Sequence, residues 1–398
     1  SAPRSDASRA RRRQNMFAAE DKPMSLDELI EDAQRVLRVC NACRYCEGYC
    51  AVFPALARRL EFTENDVLYL GNLCHNCGSC LYACQFAPPH EFQVNFPRLM
   101  AKARGETYRR YAWPGFLGKL YDNNAVAVSL ITAFSIALLF WLAGAISNPE
   151  RFFAAHSDAQ GSFYALMPHN LMAGVFGGVS LFVAFALLMG FIRFWPYMGE
   201  ELADFFKAGP LAEGVHDALT LKNLGGGVEN EGCTYPTEQK SLARRTFHHF
   251  TFYGFMLCFA ATSVATVYHY VLNQPAPYPV TSLPVLLGIV GGIGLLIGPA
   301  GLLYLKTQRD PELVAKDQTG MDAGFLVLLF MISLTGLGLL AFREHASMGT
   351  WLAIHLGFVL ALFLTMPYGK FVHGLYRLTA LVRYHLERRR PVPGIASE

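Results

Sequence analysis

The sequence predicts an all-α protein in two parts, a small helical head followed by a six-helix transmembrane bundle. Three observations carry that expectation. Hydrophobic residues make up 53% of the chain and charged residues only 16%, where soluble domains carry about a quarter charged. The charge is unevenly placed: residues 1–122 read as a soluble protein, whereas from Ala125 onward apolar blocks alternate with short charged loops. Finally, eight of the ten cysteines fall between Cys40 and Cys84, in two copies of one spacing. A net charge of +3, with no basic, aromatic-laced groove, gives no reason to expect nucleic acid.

The head begins after a basic stretch, residues 1–24, that includes Arg9, Arg11, Arg12 and Arg13 and reads as a disordered tail. That stretch has no apolar segment of signal-peptide type, so the head is expected in the cytoplasm. Ser25 and Glu28 form a capping box, and Leu26, Leu29, Ile30, Ala33, Val36 and Leu37 then recur at helical spacing up to Cys40. "PALARRLEFTENDVLYLGNL" is again helical in period, and nothing in residues 25–96 reads as strand. Residues 97–122 mix Arg and Lys with Tyr, Trp and Phe, as expected of a juxtamembrane linker at a membrane surface.

Six apolar spans are expected within the domain 123–376: Ala125–Ile146, Leu171–Phe194, Phe250–Leu272, Leu283–Leu305, Gly324–Phe342 and Thr350–Phe371. Each approaches the roughly 20 residues needed to cross about 30 Å of hydrocarbon. Lys207, Lys222, Lys240, Arg244 and Arg245 follow span two, Lys306, Arg309 and Lys316 follow span four, and a basic tail, residues 377–398, follows span six. The opposite loops hold only Arg151 and Arg343. The positive-inside rule then places both termini and the head in the cytoplasm. In the long loop 195–247, Gly225, Gly226 and Gly227 lack nucleotide-binding spacing and read as a flexible loop.

Cys40, Cys43, Cys46 and Cys50 give C-x2-C-x2-C-x3-C, and Cys74, Cys77, Cys80 and Cys84 repeat it. In a reducing compartment such thiols are metal ligands rather than disulfides. Zinc would need only four ligands and no third cysteine at this spacing, twice. Three close thiolates wrap one corner of an iron–sulfur cubane, and the fourth reaches across to the other cluster in two-cluster ferredoxins. Cys40, Cys43, Cys46 and Cys84 are therefore expected to hold one [4Fe–4S] cluster, and Cys74, Cys77, Cys80 and Cys50 the other. Proline does not directly follow either fourth cysteine; Pro54 and Pro88 come four residues later, which suits a helical ferredoxin-like head. Cys258 reads as a packing residue, Cys233 as a loop thiol without evident role, and His75 and His90 as solvent-facing or packing residues.

Ionisable residues inside a bilayer are functional candidates by default. His355 and His373 are eighteen residues apart on span six, five turns of one helix, so both rings are expected on one side. On span three, His248 lies near one end and His269 near the other. Antiparallel packing would match His248 with His373 near the cytoplasm and His269 with His355 near the outside. Two facing histidines at one depth can ligate a b-type haem, so one or two haems are expected in a bundle of cytochrome b type. His249 and His169 are the reserve ligands at the two ends. His156, His216, His345 and His385 lie in loops or tails and carry no expectation. Gly254, Ala260, Ala261, Gly357 and Ala361 are expected to leave room for porphyrin.

At these residues a resemblance enters. The doubled cysteine domain, "ARRTFHHFTFYGFMLCFAATSVATVYHY" (Ala243–Tyr270) and "IHLGFVLALFLTMPYGKFVHG" (Ile354–Gly374) resemble the tricarballylate utilization protein B family, also called CitB. The resemblance implies an electron carrier of the bacterial inner membrane that reoxidises the FAD of a partner tricarballylate dehydrogenase and passes electrons to the respiratory chain. A fused relative implies an alternative partner, a flavoprotein of cobalamin synthesis. The residues themselves suggest a conduit from a flavoprotein docked on the cytoplasmic face, through two clusters and haem, to a quinone in the lipid. No residues for hydride binding or substrate acid–base chemistry stand out, so catalysis would belong to the partner. Two rivals are a catalytic subunit of heterodisulfide-reductase type, which would want another cysteine motif near the clusters, and a zinc-stabilised membrane anchor.

Overall fold

A computed structural model of the chain describes residues 24–146, 149–155, 162–225 and 232–391. The expected N-terminal tail up to residue 23, Gly226, Gly227, His156 and the chain beyond Pro391 lie outside the described residues.

The head is built on helices α1 (Leu26–Cys43), α2 (Val52–Leu56), α3 (Glu64–Leu73), α4 (Ser79–Tyr82) and α5 (Phe96–Tyr111). The capping box opens α1: Glu28 N donates to Ser25 Oγ at 3.3 Å, and Ser25 N donates to Glu28 Oε2 at 2.8 Å. A second box, between Thr63 and Asp66, opens α3. Every residue of α3 from Val67 to Leu73 is buried, because α1 and α2, α5 and the last helix of the chain surround it. The segment expected as a surface linker supplies α5, whose Met100, Ala103, Thr107 and Tyr108 are at most 1% exposed. Arg98 and Arg104 are buried inside the head rather than spread on a lipid surface.

The bundle follows as α6 (Asn124–Ile146), the short α7 (Pro149–Phe152) and α8 (Ser162–Leu166), then α9 (His169–Tyr197), α10 (Ala208–Leu219), α11 (Ala243–Tyr270), α12 (Leu283–Thr307), α13 (Lys316–Ala341), α14 (Met348–Thr365) and α15 (His373–Glu387). Six of these, α6, α9 and α11–α14, are long and apolar enough to span a membrane, and the chain is a multi-pass membrane protein. Leu130, Phe134, Trp141 and Leu181 are each at least 63% exposed on the outside of the bundle. Apolar surface of this kind requires lipid as its solvent. The long loop is not structureless: it holds α10 and a two-stranded antiparallel ribbon that pairs Cys233 with Ser241 and Thr234 with Lys240.

Helices α11 and α12 pack backbone to backbone. A Cβ on Gly254 would lie 2.9 Å from the Gly291 carbonyl oxygen and 3.0 Å from Leu295 N. Gly357 likewise packs on Ile136, whose Cα would sit 2.7 Å from an added Cβ. Small residues here bring helices together; the expectation that Gly254 and Gly357 leave room for porphyrin is corrected.

The last span also departs from the expected single helix. Helix α14 ends at Thr365, two short 3-10 turns follow (Met366–Tyr368 and Lys370–Val372), and α15 starts at His373. Pro367 has no N–H to donate, and Gly369 between the turns is fully extended, at φ −141° and ψ −165°. The phase of the helix is lost at this break. Five-turn arithmetic therefore cannot relate His355 to His373.

Helix α15, expected as part of a tail, instead locks the head to the bundle. Glu387 is 8% exposed and accepts from the Arg59 guanidinium and from Tyr69 Oη at 3.1 Å. Arg383, one turn earlier, lies 3.1 Å from the same carboxylate and stands over the Tyr69 ring at 4.2 Å. Burial alone would lower the Arg59 pKa, and Glu387, with Tyr69 and Asp66, more than reverses this. The Tyr69 hydroxyl is pushed well above its usual value by burial and then by the Glu387 carboxylate. Removing one partner of a buried ion pair leaves the others uncompensated, at a cost of about 3 kcal/mol or more. Glu387→Ala should therefore lower the thermal unfolding midpoint of the detergent-solubilised protein by several degrees, whereas truncation of the exposed Arg109 should leave it unchanged.

Candidate functional site

The two cysteine runs fold across one another. Cys40 and Cys43 occupy the last turn of α1, which stops at Arg44 in the left-handed region, φ 53°; the Arg44 N–H closes the turn on the Cys40 carbonyl at 2.9 Å. The chain then reverses and brings Cys46 back. A cavity of about 140 Å³ is lined by Cys40, Cys43, Cys46, Cys80 and Cys84, with Phe53 and Phe86 among its apolar walls. The Cys40 thiol is pushed up by burial and then by the neighbouring thiols of Cys84, Cys46 and Cys43. Cys46, pushed up to about 12, feels burial, then Cys84, Cys43 and Cys77.

The other thiols form a second group. Cys50 is pushed up by burial, then by Cys77 and Cys74, and Cys80 by burial, then by Cys77, Cys74 and Cys50. Thus the fourth cysteine of each run sits with the first three of the other, and the groups adjoin at Cys46. Backbone N–H groups address the sulfurs: Asn76 N donates to Cys74 Sγ at 3.4 Å, while Val52 and Phe53 serve Cys50, and Phe86 and Ala87 serve Cys84. Among the described residues no three His, Cys, Asp or Glu side chains converge to hold a single metal ion. A cubane does not require such convergence, because each cysteine binds a different iron.

Cys233, expected as a loop thiol without role, lies against the second cysteine group. It is 1% exposed, donates to the Leu224 carbonyl at 3.3 Å and lies within hydrogen-bond reach of Cys77, whose thiol is lowered to about 6, first by that contact. The ribbon holds it there: Thr234 Oγ1 meets Ser79 Oγ at 3.2 Å. No spacing in the sequence links residues 77 and 233. His75 is buried, as a packing residue, with its Nδ1 3.1 Å from the Leu73 carbonyl; His90 accepts from Phe92 N at 3.1 Å.

The histidines divide by depth. At the end of the bundle nearest the head, the His248 and His373 rings meet edge to face, with centroids 6.0 Å apart and planes at 76°. His373 Nδ1 donates to the Lys370 carbonyl at 2.5 Å, which leaves Nε2 free. Lys370 is itself held at 2.6 Å by Asp322, which also takes Lys306. At the far end, His269 is not brought to His355. It stacks on His169, centroids 3.7 Å apart and planes at 21°, and His169 Nε2 meets Tyr270 Oη at 2.9 Å. His355 turns its Nδ1 to Thr335 Oγ1 at 3.2 Å and packs on Gly336, where an added Cβ would lie 2.9 Å from its ring. His249 contacts the Tyr253 ring. Unlike the expectation for a tail residue, His385 is buried, with Nε2 3.0 Å from Asp217 Oδ2.

This arrangement defines a predominantly helical, multi-pass membrane protein with a cysteine-rich head of the kind that carries iron–sulfur clusters. The family model described as Citrate utilization protein B matches residues 120–394, and the model for the Citrate utilization protein B Fer4-like domain matches residues 33–110. The chain is 52% identical over 369 residues to Citrate utilization protein B of Escherichia coli, covering 92% of this chain and 94% of that protein. It belongs to the citrate utilization protein B family. No solved structure matches it.

Gly78 tests how tightly the second cysteine loop is built. Its φ is +86°, and a Cβ there would lie 2.5 Å from the Thr234 carbonyl oxygen. The left-handed conformation alone costs an L-residue roughly 1–2 kcal/mol. Gly78→Ala should separate the ribbon from the loop, read as faster amide exchange at residues 233–241 by mass spectrometry.

Proposed function

We propose that the chain is a membrane electron carrier that reoxidises the reduced FAD of a partner dehydrogenase and delivers the electrons to a quinone. In this reading Cys40, Cys43, Cys46 and Cys84 hold one [4Fe–4S] cluster and Cys50, Cys74, Cys77 and Cys80 the other, while His248 and His373 ligate a b-type haem. Such groups supply one-electron redox chemistry; the chain supplies their placement. The observation that carries the reading is the docking of two crossed cysteine groups onto the end of the bundle where two imidazoles meet. His248 and His373, whose ring centres lie 6.0 Å apart, are the residues that would hold the haem there. The bond from His373 to the Lys370 carbonyl fixes the tautomer, as is usual for ligating histidines. Rings stacked as closely as those of His169 and His269 have no space for iron between them, so the far end supports no second haem in this arrangement.

The family name points to tricarboxylate use, so the partner is proposed to be an FAD-containing dehydrogenase of a tricarballylate-like acid, docking on the head in the bacterial cytoplasm. A catalytic heterodisulfide-reductase-like role gains one thiol from Cys233 beside Cys77, but that thiol is buried and no substrate reaches it.

Anaerobically purified protein should contain about eight non-haem irons and protohaem, with broad absorbance near ~400 nm that bleaches on reduction. Both His248→Ala and His373→Ala should lose the haem bands while keeping the cluster EPR signals, and reduced partner flavoprotein should reduce the parent's haem. Unchanged haem content in both variants would refute the ligand pair.

A further inference from the structure

Three guanidinium groups lie between the Cys74–Cys80 loop and the His248–His373 pair, and none has a carboxylate partner among the described residues. Arg104, on α5, is 6% exposed and donates to the Cys74 carbonyl. Arg377, on α15, donates to the same carbonyl at 2.7 Å. Arg244, on α11, donates to the Asn76 carbonyl at 2.8 Å and stands over the Tyr235 ring at 4.5 Å. The Nε groups of Arg104 and Arg377 are buried without a partner. Arg244 sits one turn before His248, and Arg377 one turn after His373, so each shares a helix face with its histidine. The two helices that present the imidazoles thus also grip the cysteine loop.

Among the described residues the other cysteine group has no buried counterpart: its one guanidinium at the loop, Arg44 Nε on the Asn41 carbonyl at 3.1 Å, is exposed to solvent, which screens its charge. Neither lysine nor arginine lines the cavity that Cys40, Cys43, Cys46 and Cys84 share with Cys80 of the second group. Positive charge that no carboxylate neutralises, held in a buried region of low dielectric, favours whatever negative charge arrives beside it. Cluster potentials respond to nearby charge and hydrogen bonds.

We propose that Arg104, Arg244 and Arg377 form a cationic junction that makes the group at Cys50, Cys74, Cys77 and Cys80 the electron-accepting one of the two, directing electrons toward the histidine pair. The proposal rests on the cofactor reading above. In balance, one electron leaves the cluster at Cys40, Cys43, Cys46 and Cys84, oxidising it by one, and enters the second, reducing it by one, with no bond or proton transferred. Reduced flavin is the source and quinone the sink.

The test is an EPR-monitored redox titration of the full-length protein in detergent, comparing the parent with Arg377→Gln, Arg244→Gln and Arg377→Lys. Each glutamine variant should lower the midpoint of one cluster by at least a tenfold change in its reduction equilibrium, about 59 mV for one electron, and leave the other in place. Arg377→Lys, which keeps the charge, should restore most of the shift, and Arg109→Gln on the exposed face of α5 should move neither midpoint. Arg244→Gln carries the test independently should Arg377→Gln fail to fold. Unmoved midpoints in both glutamine variants, or equal shifts of the two clusters, overturn the proposal. A parent without two cluster signals overturns the cofactor reading itself, and this inference with it.

Discussion

The Glu387 carboxylate is the constraint on which the rest of the structure depends. It is buried at the end of α15 and held from the head by Arg59 and Tyr69 and from its own helix by Arg383. A carboxylate removed from water is tolerable only with such partners around it, so the head can sit in one orientation. Helix α15 is a rigid rod of fifteen residues, about 22 Å at 1.5 Å per residue. Fixing its last residue therefore fixes its first, His373, and Arg377 one turn along. Docking of the head and placement of the imidazole are one event.

The break before α15 makes this possible. A continuous last span would carry its helical phase from His355 into His373 and leave the direction of α15 to the bundle. Pro367 and the extended Gly369 release that phase, and α15 turns to follow the head. Asp322, bound to Lys306 and Lys370, ties α12, α13 and the second 3-10 turn across the same break. The Lys370 carbonyl then orients His373. The break in the helix is followed at once by three fixed contacts, which is what a positioned ligand requires.

Within the head, burial and the neighbouring thiols push most of the crossed cysteines up, and the fold surrounds the two sides differently. One group borders the apolar cavity that Phe53 and Phe86 help to wall. The other is backed by guanidinium groups at the Cys74 and Asn76 carbonyls and by the Cys233 thiol. Two copies of one sequence motif thus acquire unlike surroundings, because only the second faces the bundle.

The sequence by itself determined the helical class, the number of spans and the residues that line the head. These depend on local quantities: apolar length against bilayer thickness, the capping box at Ser25, and a cysteine spacing that repeats without change. The His248–His373 juxtaposition was also legible, since both lie beside the loops at one depth. Other features needed the tertiary structure. The far-end arrangement of His169, His269 and His355 depends on which helices touch, and the regularly spaced Gly291, Gly294, Gly298 and Gly301 of α12 mark a close-packing face without saying which helix meets it. Residues 97–111 and 373–387 carry charges that read as surface, yet Arg104, Arg383 and Glu387 find buried partners hundreds of positions away or on a neighbouring helix. Pattern along a chain reports what a residue prefers in water or lipid; which distant group satisfies it once buried is decided only when the chain has folded.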